Sequence, residues 1–132
     1  MSEKKTKEDQ GPIQPAIRVM MMPKDTNAHG TIFGGIILSY IDLAGAVEAK
    51  RWASGRVVTV AMREVEFHNP VHVGDLVSFW TATKRRGSTS VTVKITVEAE
   101  RHMGSVAKVK VTEAEVIYVH VGGEGEPREL DL

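Results

Sequence analysis

The chain has 132 residues, the size of one domain, with 42% apolar residues and 17 basic side chains against 17 acidic ones. Zero net charge removes any global electrostatic argument for binding nucleic acid or an anionic membrane. The absence of cysteine removes disulfide scaffolds, thiolate metal sites and a cysteine nucleophile. The opening "MSEKKTKEDQGP" lacks the apolar centre of a signal peptide, and no apolar run reaches the ~18 residues of a membrane span. A cytoplasmic protein without membrane insertion is therefore expected.

Residues 1–12 read as a charged tail, closed by Gly11 and Pro12, ahead of a single domain over 13–132. The segment "IRVMMMP" reads as a first strand stopped by Pro23, which cannot donate to a ladder. A turn-rich stretch, "DTNAHGTIFGG", follows from Asp25 to Gly35. From Gly34 to about Ala53 the pattern is helical, with apolar residues around almost the whole cylinder, which implies a buried helix. Lys50 and Arg51 stand where the helix dipole favours cations, and Gly55 marks the stop. After Gly55 the period becomes two. "RVVTVAMREVEF" alternates through Met62 and then shifts phase to Val65 and Phe67. "DLVSFWTAT" puts Val77 and Phe79 on one side and Leu76 and Trp80 on the other. "SVTVKITVEAE" sets Val91, Val93, Ile95, Val97 and Ala99 on one face. "VAKVKVTEAEVIYVHV" is the last strand, with its phase broken near Glu113 as a bulge would break it. "RRGSTS" reads as the hairpin tip between the third and fourth strands.

No helices separate the last four strands, so an antiparallel meander is expected, with the helix on one face. Its open edges favour pairing with a second copy.

One feature of the helix is chemically odd. Asp42 is a lone carboxylate in an apolar run, and Gly35, Ser39 and Asp42 share a face at i, i+4 and i+7. With Gly45, Ala46 and Ala49 nearby, that face is narrow enough for a thin ligand or for close packing of a second helix. Gly34 and Gly35 open the helix, where unpaired amides and the dipole can hold an oxyanion; tight packing on the sheet is the plainer reading. Seven residues put Gly35 and Asp42 about 10 Å apart along the axis. A second subunit supplying one of the two would close that gap.

The stretches "MPKDTNAHGTIFGGIILSYIDLAGAVEAK", "GRVVTVAMREVEFHNPVHVGD" and "RRGSTSVTVKITV" together resemble the acyl-CoA hydrolase branch of the hotdog-fold thioesterases, in one register from Val19 to Arg128. The resemblance implies an α+β hotdog fold, an antiparallel sheet of about five strands wrapped around one long central helix. It implies acyl-CoA as substrate, no cofactor, and a homo-oligomer, either a dimer or a trimer of dimers with CoA in a groove between subunits. Asp42 matches the catalytic acid, as general base or nucleophile. Asn27 matches the loop asparagine that completes the site across the dimer, and Gly34 and Gly35 match the glycines that bind the thioester carbonyl. Phe33 departs from members that carry histidine before the glycine pair, and the longer C-terminal helix of some members has no counterpart after the last strand.

Further candidates are tied to substrate binding. Lys84, Arg85 and Arg86, with Ser88 and Ser90, either meet CoA phosphates or form a solvated tip. Arg56 stands on the same terms. His29 lines the site or serves the loop. The five histidines have no metal-ligand spacing, so no metal is expected. Ser39 has no triad around it, and turn chemistry accounts for Asp75. Two rival readings are a non-catalytic acyl-CoA-binding hotdog module and a hotdog hydratase. The first has no use for a lone acid beside a thioester. The second pairs its acid with a histidine, and the helix carries none.

Overall fold

The computed structural model describes residues 13–101 and 107–131. The tail assigned to residues 1–12, His102 and the first residue of the expected last strand, Val106, lie outside them. Five strands make one sheet: β1 (Ile17–Met20), β2 (Arg56–Phe67), β3 (Leu76–Arg86), β4 (Ser90–Glu100) and β5 (Lys108–Val121). A single long helix, α1 (Gly34–Ala49), packs on one face of it, against β2, β3, β4 and β5. No helix among the described residues is long and apolar enough to cross a membrane.

Every pairing is antiparallel, as expected, but the meander holds only for β3, β4 and β5. The spatial order is β1-β3-β4-β5-β2, so β2 lies at the far edge beside β5 and not next to β3. The reason is the connection over residues 68–75, which is longer than a tight hairpin turn. It runs past the start of α1 and is tied to the preceding loop, with Ile32 N–H donating to Val71 O at 2.8 Å and Gly74 N–H to Met21 O at 2.8 Å.

The core follows the period-two pattern of β4. Val91, Val93, Ile95, Val97 and Ala99 are all buried, facing Ile37, Ile41, Ala44 and Ala49 of α1. Val77 and Phe79 of β3 join them, and the Phe79 ring lies 5.5 Å from that of Tyr40. Each large aliphatic side chain buried contributes ~1.5–3 kcal/mol, so this one row rivals the ~5–15 kcal/mol net stability of a domain.

Two expectations for the helix need correction. It ends at Ala49 and not Ala53, because the chain tightens into turns in which Arg51 N–H reaches Glu48 O and Trp52 N–H reaches Ala49 O. Trp52 is then held to the sheet by its indole N–H, which donates to Thr83 Oγ1 at 2.9 Å. Nor is the helix buried all round. Leu43 and Val47 are 57% and 56% exposed in the single chain, an apolar face left uncovered.

Irregularities in β2 explain its phase shift. One residue is inserted at Val60, between the Thr59–Tyr118 and Ala61–Ile117 pairs, and another between the Arg63–Glu115 and Glu66–Glu113 pairs. At the second, Glu64 has a φ of 56°, the left-handed conformation that such bulges recruit. The break expected near Glu113 in β5 lies at Val111, the extra residue between the pairs Val97–Thr112 and Glu98–Lys110. Both sheet edges are open within the chain. β1 is only four residues long, whereas β2 has twelve and exposes Val58 and Val60.

Candidate active site

Asp42 sits in the middle of α1, half-buried, and is held at both ends. Its carboxylate Oδ1 accepts the hydroxyl of Thr59 at 2.7 Å. Its backbone carbonyl accepts the phenol of Tyr118 at 2.7 Å. Oδ2 makes no further hydrogen bond of good geometry among the described residues, and the Tyr118 phenol lies close to the same carboxylate. Burial, and after it the Asp42 carboxylate, push the Tyr118 phenol far above its ordinary range, so it stays a neutral donor. Sequence reasoning missed Thr59 and Tyr118. Thr59 falls within a stretch that carries the resemblance, but nothing there singles it out, and only the strand register brings it and Tyr118 to the acid.

The narrow face of small residues beside Asp42 has a definite occupant at one point. A Cβ placed on Gly45 would lie 2.1 Å from the Tyr118 hydroxyl, so this glycine is a notch for the phenol and not part of a ligand slot. Ser39, on the same face, spends its hydroxyl on Ile36 O at 2.8 Å.

The start of α1 carries the remaining candidates on the helix. Phe33 caps it without a side-chain hydrogen bond, and its own N–H donates to Asp25 O at 2.9 Å. The amides of Gly34 and Gly35 have no hydrogen-bond partner among the described residues, as the first amides of a helix lack an internal acceptor. A Cβ on Gly35 would sit 2.5 Å from the Phe33 ring, so glycine is needed for that ring to lie where it does. Next to these amides is an open cavity of about 300 Å³, lined by Ile32, Gly34, Ile37, Phe67, Pro70 and Val71, with His68 and Asn69 as its polar part. The segment that walls it is fastened by the buried Asp75, whose Oδ2 accepts His72 N–H at 2.9 Å and Arg101 Nη2 at 3.1 Å. Turn chemistry alone therefore understated Asp75, which also anchors an ion pair with Arg101, itself bonded to Pro70 O at 2.9 Å.

Asn27 is committed to its own loop. Its Oδ1 accepts the amides of His29 at 2.8 Å and Thr31 at 3.2 Å, and its Nδ2 donates to Thr31 Oγ1 at 3.0 Å. Within one chain it makes no hydrogen bond to Asp42. The imidazole of His29 is exposed on the same loop. Asp25 stiffens the loop's start: the Met22 amide, and then Lys24, hold its carboxyl below the usual carboxylate range.

The charged candidates separate into two groups. Lys84 and Arg85 face Glu115, at 2.7 Å and 3.7 Å, and these contacts, Lys84 first, hold the Glu115 carboxyl below its ordinary range. The expected three-residue cluster at the hairpin is thus broken up, because Lys84 and Arg85 are turned to the outer face of the sheet. Arg86 instead stacks on the Trp52 ring, 4.0 Å from its centre. Around it, Leu130 N–H donates to Ser88 O, Asp131 N–H to Trp52 O, and the Arg56 guanidinium to Gly122 O at 3.3 Å. Arg56, Arg86, Ser88 and Ser90 therefore gather toward the C-terminal end of α1. The Gly34 and Gly35 amides stand at the other end, and Asp42 lies between. His120, buried here, accepts Gly55 N–H on Nε2 at 3.1 Å and donates from Nδ1 to Glu129 O at 2.9 Å, which fixes its tautomer.

A family model described as the thioesterase superfamily matches residues 29–106. The acyl-CoA thioester hydrolase YciA of Escherichia coli K12 is 43% identical over 118 residues, covering 88% of this chain and 89% of that protein. A hexameric hotdog fold thioesterase of Campylobacter jejuni is 41% identical, with a TM-score of 0.85 over 89% of this chain and 90% of that one. A hexameric broad specificity acyl-coenzyme A thioesterase is 38% identical, with a TM-score of 0.82 over 89% and 80% of the two chains.

Proposed function

This chain belongs to the thioesterase superfamily, and on that premise we propose that it hydrolyses acyl-CoA to free CoA and a carboxylic acid. The carrying observation is the Asp42 carboxylate, pinned through Oδ1, on the helix whose first amides are unpaired beside an apolar cavity. The thioester carbonyl oxygen receives the Gly34 and Gly35 amides of one copy, which stabilise the oxyanion as it forms, while Asp42 comes from a second copy, because the two lie about 10 Å apart along a single helix. Asp42 Oδ2 takes a proton from water, which attacks the carbonyl carbon, or attacks that carbon itself to give a mixed anhydride that water then opens. In both routes the carbon–sulfur bond breaks and CoA leaves as the thiolate. No cofactor is required.

The acyl chain enters the cavity beside Gly34. The cavity of about 300 Å³ is apolar apart from His68 and Asn69, which suits an acyl chain. The nucleotide end of CoA lies toward Arg56, Arg86, Ser88 and Ser90. Asn27, with His29 beside it, completes the site from the copy that does not supply Asp42, since it makes no contact with Asp42 in its own chain. The exposed apolar residues Leu43, Val47, Val58 and Val60 and the long β2 edge support a dimer, and the hexameric relatives support a trimer of dimers.

The test is thiol release from a panel of acyl-CoA esters of increasing chain length, with light scattering on the same sample. Release from short and medium chains by an oligomer is the expected result. Tight binding without release would favour the non-catalytic acyl-CoA-binding module. Full activity in a monomer would remove the shared site.

A further inference from the structure

The Thr59–Tyr118 pair is one rung of the sheet. The two residues are direct partners across the β2–β5 ladder, so both side chains project to the face that meets α1. Both end on the same helical residue: Thr59 on the carboxylate of Asp42, Tyr118 on its carbonyl. We propose that Tyr118, admitted by the Gly45 notch, is a positioning residue that sets the height and rotation of α1 so that the Asp42 carboxylate meets Thr59 with its second oxygen directed at the substrate.

Three features support this assignment. The Tyr118 ring is 1% exposed, and a phenol so deeply buried needs an acceptor. The helix provides a backbone carbonyl, which has a second lone pair beyond the one used in the helical ladder. The residue carrying that carbonyl is itself a half-buried acid, whose carboxylate meets the Thr59 partner of the same rung. Gly45 lies three residues on from Asp42, on the adjoining turn, and is the residue whose side chain would block the approach. A Cβ there would meet the hydroxyl at 2.1 Å and the ring at 2.9 Å. Glycine in a helix interior weakens the helix, so its presence needs a reason of this kind. A hydroxyl serving only to satisfy itself would be met equally well by any helical carbonyl and would need no acid beside it.

The proposal rests on Asp42 being the catalytic acid, and the experiment separates the two. Tyr118→Phe removes the hydroxyl and keeps the ring. The expected result is a fall in kcat on the order of tenfold with KM within about twofold, since the carboxylate is misplaced and not removed. In an Asp42→Asn background the same change should lower residual turnover no further, because Tyr118 acts only through that carboxylate. Equal losses in both backgrounds, or an unchanged kcat well below the melting temperature, would overturn the proposal. If Asp42→Asn alone keeps normal turnover, the catalytic assignment fails first and independently. Should Tyr118→Phe not fold, Gly45→Ala displaces the phenol from the helix side. A lowered kcat with an unchanged KM supports the brace, and normal kinetics refutes it.

Discussion

Replacing Asp42 by Asn separates chemistry from architecture. Asparagine keeps the shape, and its Oδ1 can still accept the Thr59 hydroxyl, which lies 2.7 Å from the acid. The Tyr118 bond to the backbone carbonyl is untouched. What disappears is the basic oxygen. Loss of a general base costs ~100-fold or more in turnover, about 2.7 kcal/mol of barrier at the lower limit. Stability should change by less than about 1 kcal/mol, which for a chain of this size is ~4 °C or less in melting temperature. If Asp42 were only a structural acceptor, the pattern would invert. A charged hydrogen bond worth ~1.5–3 kcal/mol would weaken, the melting temperature would fall, and turnover would hold. The assay is direct, because the chain has no cysteine and a thiol reagent therefore reads only released CoA. Turnover within threefold of the parent, measured with a melting curve on the same preparation, would refute the reasoning.

Enlarging the cavity by Phe67→Ala should shift preference toward longer acyl chains in kcat/KM across the panel; an unchanged profile would place the acyl chain elsewhere. Arg86→Ala should raise KM for CoA esters and leave short thioesters without the nucleotide unaffected, while Lys84→Ala and Arg85→Ala, whose parents face Glu115, should leave both near normal. The Ser54 hydroxyl and amide hold the Asp131 carboxyl below its ordinary range, so it stabilises the fold above the unfolded value near ~3.9 and loses that effect as pH falls through its lower folded value. Melting curves should accordingly show the deficit of Asp131→Asn shrinking as pH falls below the unfolded value of ~3.9.

The element order and the start of α1 were legible in the sequence because they depend on local pattern. The alternation of β4 predicts its buried row, and the glycine pair before a long apolar run predicts a helix start with free amides. The strand order was not legible. Placing β2 at the far edge depends on where residues 68–75 run, and those residues carry turn chemistry compatible with either side. The charge cluster at the hairpin failed for a related reason. Consecutive Lys84, Arg85 and Arg86 look like one patch, but a register shift between Thr83 and Arg85 disposes them differently, and Glu115 arrives from another strand. Thr59 and Tyr118 are 59 positions apart by count of their numbers and meet only as a rung.

The bulges of β2 show how one strand serves both halves of the site without putting charge into the core. Thr59 and Phe67 differ by an even number, so an unbroken strand would already send both to the face that meets α1. That same strand would also send Arg63 inward, against the helix. The residue inserted at Val60 shifts the phase, so that Met62 packs on the core opposite Val116 and Arg63 pairs with Glu115 on the outer face. The second insertion, with Glu64 in the left-handed conformation, shifts it back. Phe67 then returns to the inner face opposite the buried Thr112 and reaches the cavity beside Gly34. Two insertions cancel at the ends and act only in the middle. Deletion of Val60 alone should therefore heal the first bulge and keep Thr59 opposite Tyr118, Met62 opposite Val116 and Arg63 opposite Glu115, so it should lower the melting temperature only slightly; an unfolded variant would show that the bulge is needed for more than its phase.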